Sequence, residues 1–371
     1  MQIKKHPLTS PAIGTNREVV SFHYGEASTG KKIYIQAALH ADEAPGLLVA
    51  HYLRAQFAQL ESEQKLNCEV VLVPVANPIG LAQWLDHTHI GRFELSTAEN
   101  FNRHYPDIAD AVANLIADKL NDDAAHNQRV IREAMRTALH QLTPKTELAS
   151  LRHTLFTLAA DANIMLDLHC DAEAKLHLYT GSPLWPMVEP LARYTGAVAT
   201  LLETTSGDNP FDEACSRTWW LMQQKFADKP IPLGGVSVTV ELRGSADVSH
   251  ANAIKDAQAI VNYLTHQGYI NLPAPPLPQL VAEATPLAGS EAIESPVSGV
   301  VSFLRELGET IKVGEAVVDI TNPITGETTV LSATTEGILY ARENRRFAHA
   351  GMRLCKIAGN VPFRTGKLLS A

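Results

Sequence analysis

Apolar residues gather in four short runs along this 371-residue chain, at positions 33–39, 68–76, 163–168 and 235–240. Most are near-continuous, as expected of strands buried on both faces in a parallel sheet. After the first run, Pro45 and Gly46 mark a turn, and residues 47–57 repeat their apolar positions at helical spacing. Strand, helix and strand in that order imply a right-handed parallel crossover. Further strands are expected at 18–24, 176–180 and 197–203, and helices at 182–195, 215–226 and 251–267. Gly268 closes the last helix. Residues 108–160 read as helical, interrupted at Thr143 and Pro144 and by a polar connection at 121–127. Residues 79–107 show little periodicity and read as a long loop, a feature often tied to function in compact domains. The fold class is therefore α/β, a mainly parallel central sheet flanked by helices.

Beyond Gly268 the pattern changes. Pro273, Pro275, Pro276 and Pro278 make a stiff, extended connector. From about 285, Val, Thr, Gly and Glu replace the helical mixture. Gly299, Gly314 and Ile320 are echoed by Gly337, Gly351 and Ile357, so a short β unit occurs twice and predicts a small pseudo-symmetric all-β domain. The expected division is an α/β domain over 1–275, with a helical insertion at about 108–160, and a β domain over 285–371. Net charge of −9 leaves no basic footprint for nucleic acid or an anionic membrane. The chain has no apolar run of membrane-spanning length and no signal-peptide core at its start. Four cysteines, widely spaced, read as reduced thiols. A cytoplasmic protein with a small-molecule partner fits these features.

The candidate chemistry lies at strand ends, where open α/β sheets place their sites. The first run ends in His40 with Glu43 three residues on, the third in His169, the fourth in Glu241. A catalytic zinc needs three protein ligands and an open position. His40, Glu43 and His169 form such a set, and Glu241 is a further carboxylate able to take a proton from water. Each has a plainer reading alone: a core histidine, a carboxylate at a helix start, or, for Glu241, a partner of Arg243. Arg92, Asn102 and Arg103 on the long loop offer one group to stabilise an oxyanion and another to hold a substrate carboxylate. Asp167 is assigned to the strand face opposite His169, in a supporting role.

Taken together, His40 to Gly46 (His-x-x-Glu-x-x-Gly), Asn102, Arg103 and Pro106, Asp167 with His169, and Glu241 resemble the motifs of the succinylglutamate desuccinylase/aspartoacylase family, within the wider zinc carboxypeptidase fold. They occur in order across about residues 20–270. The resemblance implies one zinc per chain, held by His40, Glu43 and His169. It implies Glu241 as general base and acid, Arg92 polarising the scissile carbonyl, and Asn102 and Arg103 on a substrate carboxylate. Arg217 is a looser match to a further substrate-binding arginine. The implied reaction is hydrolysis of the amide of an N-acyl amino acid or a similar small carboxylate-bearing amide. A metallo-carboxypeptidase would use the same residues, and a non-catalytic metal-binding module is the reading from another class. The sequence departs from the family at Asn100, often an aspartate, and in the longer gap between Arg92 and Asn102. The tail resembles a barrel-sandwich domain of the biotinyl/lipoyl type. Residues 322–331 between its halves contain no lysine, so the expectation is a structural unit that covers the active-site mouth or mediates homo-oligomers, not a carrier.

Overall fold

The computed structural model describes residues 1–369. Its centre is a nine-stranded sheet in the order Gln2–Pro7, Glu18–Tyr24, Glu69–Val73, Lys32–Ala37, Ile164–Asp171, Val236–Gly244, His177–Thr180, Ala199–Leu202 and Thr285–Pro286. The four strands from Glu69–Val73 to Val236–Gly244 run parallel. His177–Thr180 then turns antiparallel to its neighbour, and the last two strands follow it in parallel. The large sheet is thus mainly parallel.

The near-continuous apolar runs have a direct physical cause. Ile33, Ile35 and Ala37 pack into one core while Tyr34, between them, packs into the other. Val70 and Leu72 likewise alternate with Val71 and Val73. Successive side chains point to opposite faces, and both faces are covered. Helices Pro45–Ser62, Trp185–Thr195 and His250–His266 cover one. Ala109–Ile116, Ala124–His140, Glu147–Ala159 and Phe211–Lys225 cover the other. The helical block at 108–160 therefore supplies most of the second layer. It also braces the long loop, since Arg152 on Glu147–Ala159 donates to Glu99 Oε2 at 2.8 Å and to the Asn100 carbonyl at 2.9 Å.

One strand had no sequence signal. Gln2–Pro7 pairs antiparallel with Glu18–Tyr24 at the sheet edge. Nearly all of it is exposed, so it has no hydrophobic run to announce it.

The two sheets of the C-terminal region are antiparallel throughout. One sheet holds Ser290–Glu294, Arg353–Gly359, Gly337–Arg342 and Thr310–Ile311, the other Thr328–Ser332, Ala316–Thr321, Gly299–Phe303 and Phe347–Ala348. Val301, Val318, Ile320, Leu339, Leu354 and Ile357 form its core. The last two positions of the predicted 285–371 unit lie outside the described residues. The region is fastened to the large sheet. Thr285–Pro286 is that sheet's edge strand, Ala341 pairs with Ala174, and Arg342 and Arg346 both bind Glu173. Among the described residues, the four cysteines are unpaired and no helix is long and apolar enough to cross a membrane.

Candidate metal centre

Lys32–Ala37, Ile164–Asp171 and Val236–Gly244 lie side by side and parallel, so their carboxyl ends meet at one edge. The chain leaves the first strand through Ala38, at a φ of 59°. Asn77 Nδ2 holds the Leu39 carbonyl at 2.9 Å, and Glu43 N closes a turn on the His40 carbonyl at 3.1 Å. Gly46 lets the next helix start against the sheet, because a Cβ there would lie 2.9 Å from the Leu168 carbonyl oxygen. His40 and Glu43 are thereby turned towards His169.

Glu43 lies between the two histidines. Its Oε1 is 2.9 Å from His40 Nδ1 and its Oε2 is 2.8 Å from His169 Nδ1. Oε2 also accepts from Cys170 N at 2.9 Å. All three residues are buried, and one ligand atom from each lies within 4.8 Å of the others. The far nitrogen of each imidazole is held in turn: His40 Nε2 is 2.8 Å from Asn100 Oδ1, and His169 Nε2 is 2.8 Å from Asp167 Oδ2. Asp167 Oδ1 accepts from Gln36 Nε2 at 3.0 Å, and Gln36 Oε1 from Tyr34 OH at 2.7 Å. This corrects the placement of Asp167 on the opposite face. Residues two apart on a strand share a face, and Asp167 orients His169. Burial opposes the charged form of Glu43, but His40 and His169 outweigh it and hold the carboxyl well below its usual range. Burial, and then Arg92, lowers His40 to about 4. Burial works against protonated His169, but Asp167 and Glu43 outweigh it and raise the imidazole well above its ordinary value. The two carboxylates thus call for positive charge at this point.

These donors fit a divalent cation: two neutral-capable imidazoles presenting Nδ1, one carboxylate, and outer partners that fix the rings. Asp167→Asn is expected to weaken metal affinity about 10–100-fold, read by competition against a chelator. Unchanged affinity would remove Asp167 from the site.

Glu241 is the register partner of His169 across the parallel pair. A register shift follows between Glu241 and Gly244, with Arg243 at a φ of 69°. Bulges beside active sites re-aim side chains. Arg243 pairs with Asp256, not with Glu241. Glu241 Oε2 is buried with no hydrogen-bond partner among the described residues. Burial, then the neighbouring Glu43 charge, pushes its carboxyl up to about 8.

Arg92 Nη1 lies 3.1 Å from His40 Nδ1 and 3.4 Å from Glu43 Oε1. Arg103 is 5% exposed and donates to the Asn102 carbonyl at 2.6 Å. Asn102 Oδ1 accepts from Phe211 N at 2.9 Å, tying the loop to the start of helix Phe211–Lys225. All three line one cavity of about 760 Å³ together with His40, Glu43, His169 and Glu241. Arg217 does not line it: its guanidinium pairs with Asp107 at 3.1 Å. Helix Phe211–Lys225 points Asp212 into the cavity instead.

Residues 29–267 match the succinylglutamate desuccinylase/aspartoacylase catalytic domain. The chain belongs to this family. A comparison with curated proteins finds no match. Among solved structures, a succinylglutamate desuccinylase/aspartoacylase family protein from Shewanella amazonensis shares 25% identity over 96% of this chain and 98% of its own, with a TM-score of 0.82. A relative described in the same terms from Shewanella frigidimarina shares 22% over 97% of both chains at a TM-score of 0.83. The ectoine utilization protein EutE (DoeB) of Ruegeria pomeroyi shares the fold at 15% identity, over 96% and 93%, with a TM-score of 0.66.

In this succinylglutamate desuccinylase/aspartoacylase family member the C-terminal region forms part of the cavity wall. Leu287, Tyr340, Lys356, Arg364 and Leu368 all line it. Lys356 crosses the seam to bind Asp171, two residues beyond His169. The sequence carried one signal for this. Lys356 interrupts the apolar part of strand Arg353–Gly359, between Cys355 and Ile357, where a charge at an inward position needs a partner.

Proposed function

We propose that the protein is a zinc-dependent deacylase that hydrolyses the amide bond of an N-acyl amino acid or a similar small, carboxylate-bearing amide. The observation that carries this reading is the unpartnered Oε2 of Glu241 beside the Glu43-centred donor set. His40, Glu43 and His169 would hold the metal, and two histidines with one carboxylate suit zinc. When bound, the cation supplies Lewis-acid chemistry, lowering the pKa of a water and polarising a carbonyl.

The chain's own residues do the rest. Glu241 takes the proton of the attacking water and returns it to the departing amine, a shuttle suited to a buried carboxyl whose pKa burial pushes up. Arg92, already against the donor set, faces the developing oxyanion. Arg103 and Asn102, in the same cavity lining, hold a substrate carboxylate. The C-terminal region, read as a barrel-sandwich domain without a carrier lysine, closes the cavity and sets its size.

The test is a panel of N-acetyl, N-succinyl and N-formyl amino acids assayed by amine release, with and without chelator. Hydrolysis of at least one substrate, lost on chelation and restored by zinc, is expected. Metal-loaded protein that cleaves none of them would sink the reading.

A further inference from the structure

Part of the cavity lining is apolar. Leu287, Tyr340 and Leu368 belong to one hydrophobic cluster at the seam between the large sheet and the C-terminal region, with half-buried Tyr179 and Leu369 packed against it. All five also line the catalytic cavity. Their polar tips are spent locally. Tyr340 OH is 2.9 Å from Ser290 Oγ, and Tyr179 hydrogen-bonds Tyr340. What these residues offer the cavity is ring and aliphatic surface.

The segment carrying the two leucines is held in place. Phe363 N and Arg364 N donate to the Ala288 carbonyl at 3.1 and 3.0 Å, Leu368 N donates to the Ser206 carbonyl at 2.9 Å, and Lys367 Nζ pairs with Asp208 at 2.6 Å. The cations that this region adds to the lining are engaged: Lys356 with Asp171, Arg345 with Glu343, Arg353 with Glu294, and Arg364 with the carbonyls of Ser290 and Leu368. A cavity of about 760 Å³ is in the range of pockets that hold drug-sized ligands, larger than an N-acetylated small amino acid needs.

We propose that Tyr179, Leu287, Tyr340, Leu368 and Leu369 form a specificity subsite that receives an aliphatic or aromatic group of the substrate. The inference rests on the deacylase reading for the reaction, and it names the class of amide: one bearing an apolar group of several carbons, on either the acyl or the amine side. Removing apolar surface from water against this wall strengthens binding with each added methylene.

Binding of acetate, butyrate and hexanoate to the zinc-loaded protein, followed by calorimetry, tests the subsite without any turnover. Affinity is expected to rise at least tenfold from acetate to hexanoate. Leu369→Ser should abolish most of that rise and Leu369→Met should retain it. Val361→Ser, exposed on the same segment and away from the cavity, should also retain it. Equal binding of the three acids by the wild-type protein, or a gradient that survives Leu369→Ser intact, overturns the subsite. The same result is readable if no amide is cleaved, so a failed deacylase assay and a failed subsite are separate outcomes. If amides are cleaved, a kcat/KM series over acyl length and over side chain (alanine, leucine, phenylalanine) shows which side of the bond meets the wall.

Discussion

Glu241→Gln is expected to lower kcat by about 10²–10⁴-fold while leaving KM nearly unchanged, the range usually supplied by one positioned acid–base group. The substitution keeps the side chain's shape, and Glu241 is not one of the three clustered metal donors. Metal content should therefore match the wild type, which separates this effect from loss of the centre. Arg243 is committed to Asp256, and Glu241 Oε2 meets no hydrogen-bond donor among the described residues, which leaves that oxygen open to exchange a proton. Burial and Glu43 hold the Glu241 carboxyl up to about 8. A cation bound by Glu43 and the histidines would offset the Glu43 charge and bring that value down. Only the carboxylate form accepts a proton, so kcat/KM should fall as pH drops through the Glu241 pKa, and the residual activity of the glutamine variant should lack that limb. Full metal content with a kcat within fivefold of wild type would assign the proton transfer to another group.

The parts of this site that could be read from sequence are those fixed by local pattern. A buried strand announces itself because alternate residues enter two different cores, as Tyr34 does between Ile33 and Ile35. A ligand at the strand's end then falls at the carboxyl edge whatever the loops do. That His40, Glu43, His169 and Glu241 gather at one edge was legible for that reason, and the resemblance pointed to Arg92, Asn102 and Arg103 as neighbours in the same cavity. The partners that orient them were harder. Asp167 is the exception, since strand period alone places it beside His169 on the same face. Asn100 was visible as a departure from the family, and the structure gives it two duties, holding His40 Nε2 and accepting from Asn102 N at 2.8 Å. Arg217 was placed by a loose local match, and its helix orientation sends it to Asp107. The apolar wall was out of reach. No local pattern says which face of a β unit will dock, or that residues 368 and 369 return to a cavity that residue 92 also lines.

Glu43→Gln is expected to be the more severe change, removing detectable hydrolysis by removing the metal. Glu43 is 7% exposed and touches both histidines and the Cys170 amide. A glutamine of the same size supplies one neutral oxygen and an N–H₂ group that must point at an imidazole or at the cation. Two consequences combine: the centre loses its only anionic donor, and a donor N–H takes the place of an acceptor between the rings. Metal affinity should therefore fall well beyond the 10–100-fold expected for Asp167→Asn, because Asp167 would act through His169 while Glu43 would contribute a ligand atom itself. Melting temperature provides a readout independent of turnover. A ligand that binds only the folded state stabilises it by about 2.7 kcal/mol at a hundredfold excess over Kd, so zinc should raise the wild-type melting temperature and leave that of Glu43→Gln unchanged. Dialysed Glu43→Gln protein that retains one equivalent of metal would show that Glu43 is not a ligand, and would return it to the plainer role of pairing two buried histidines.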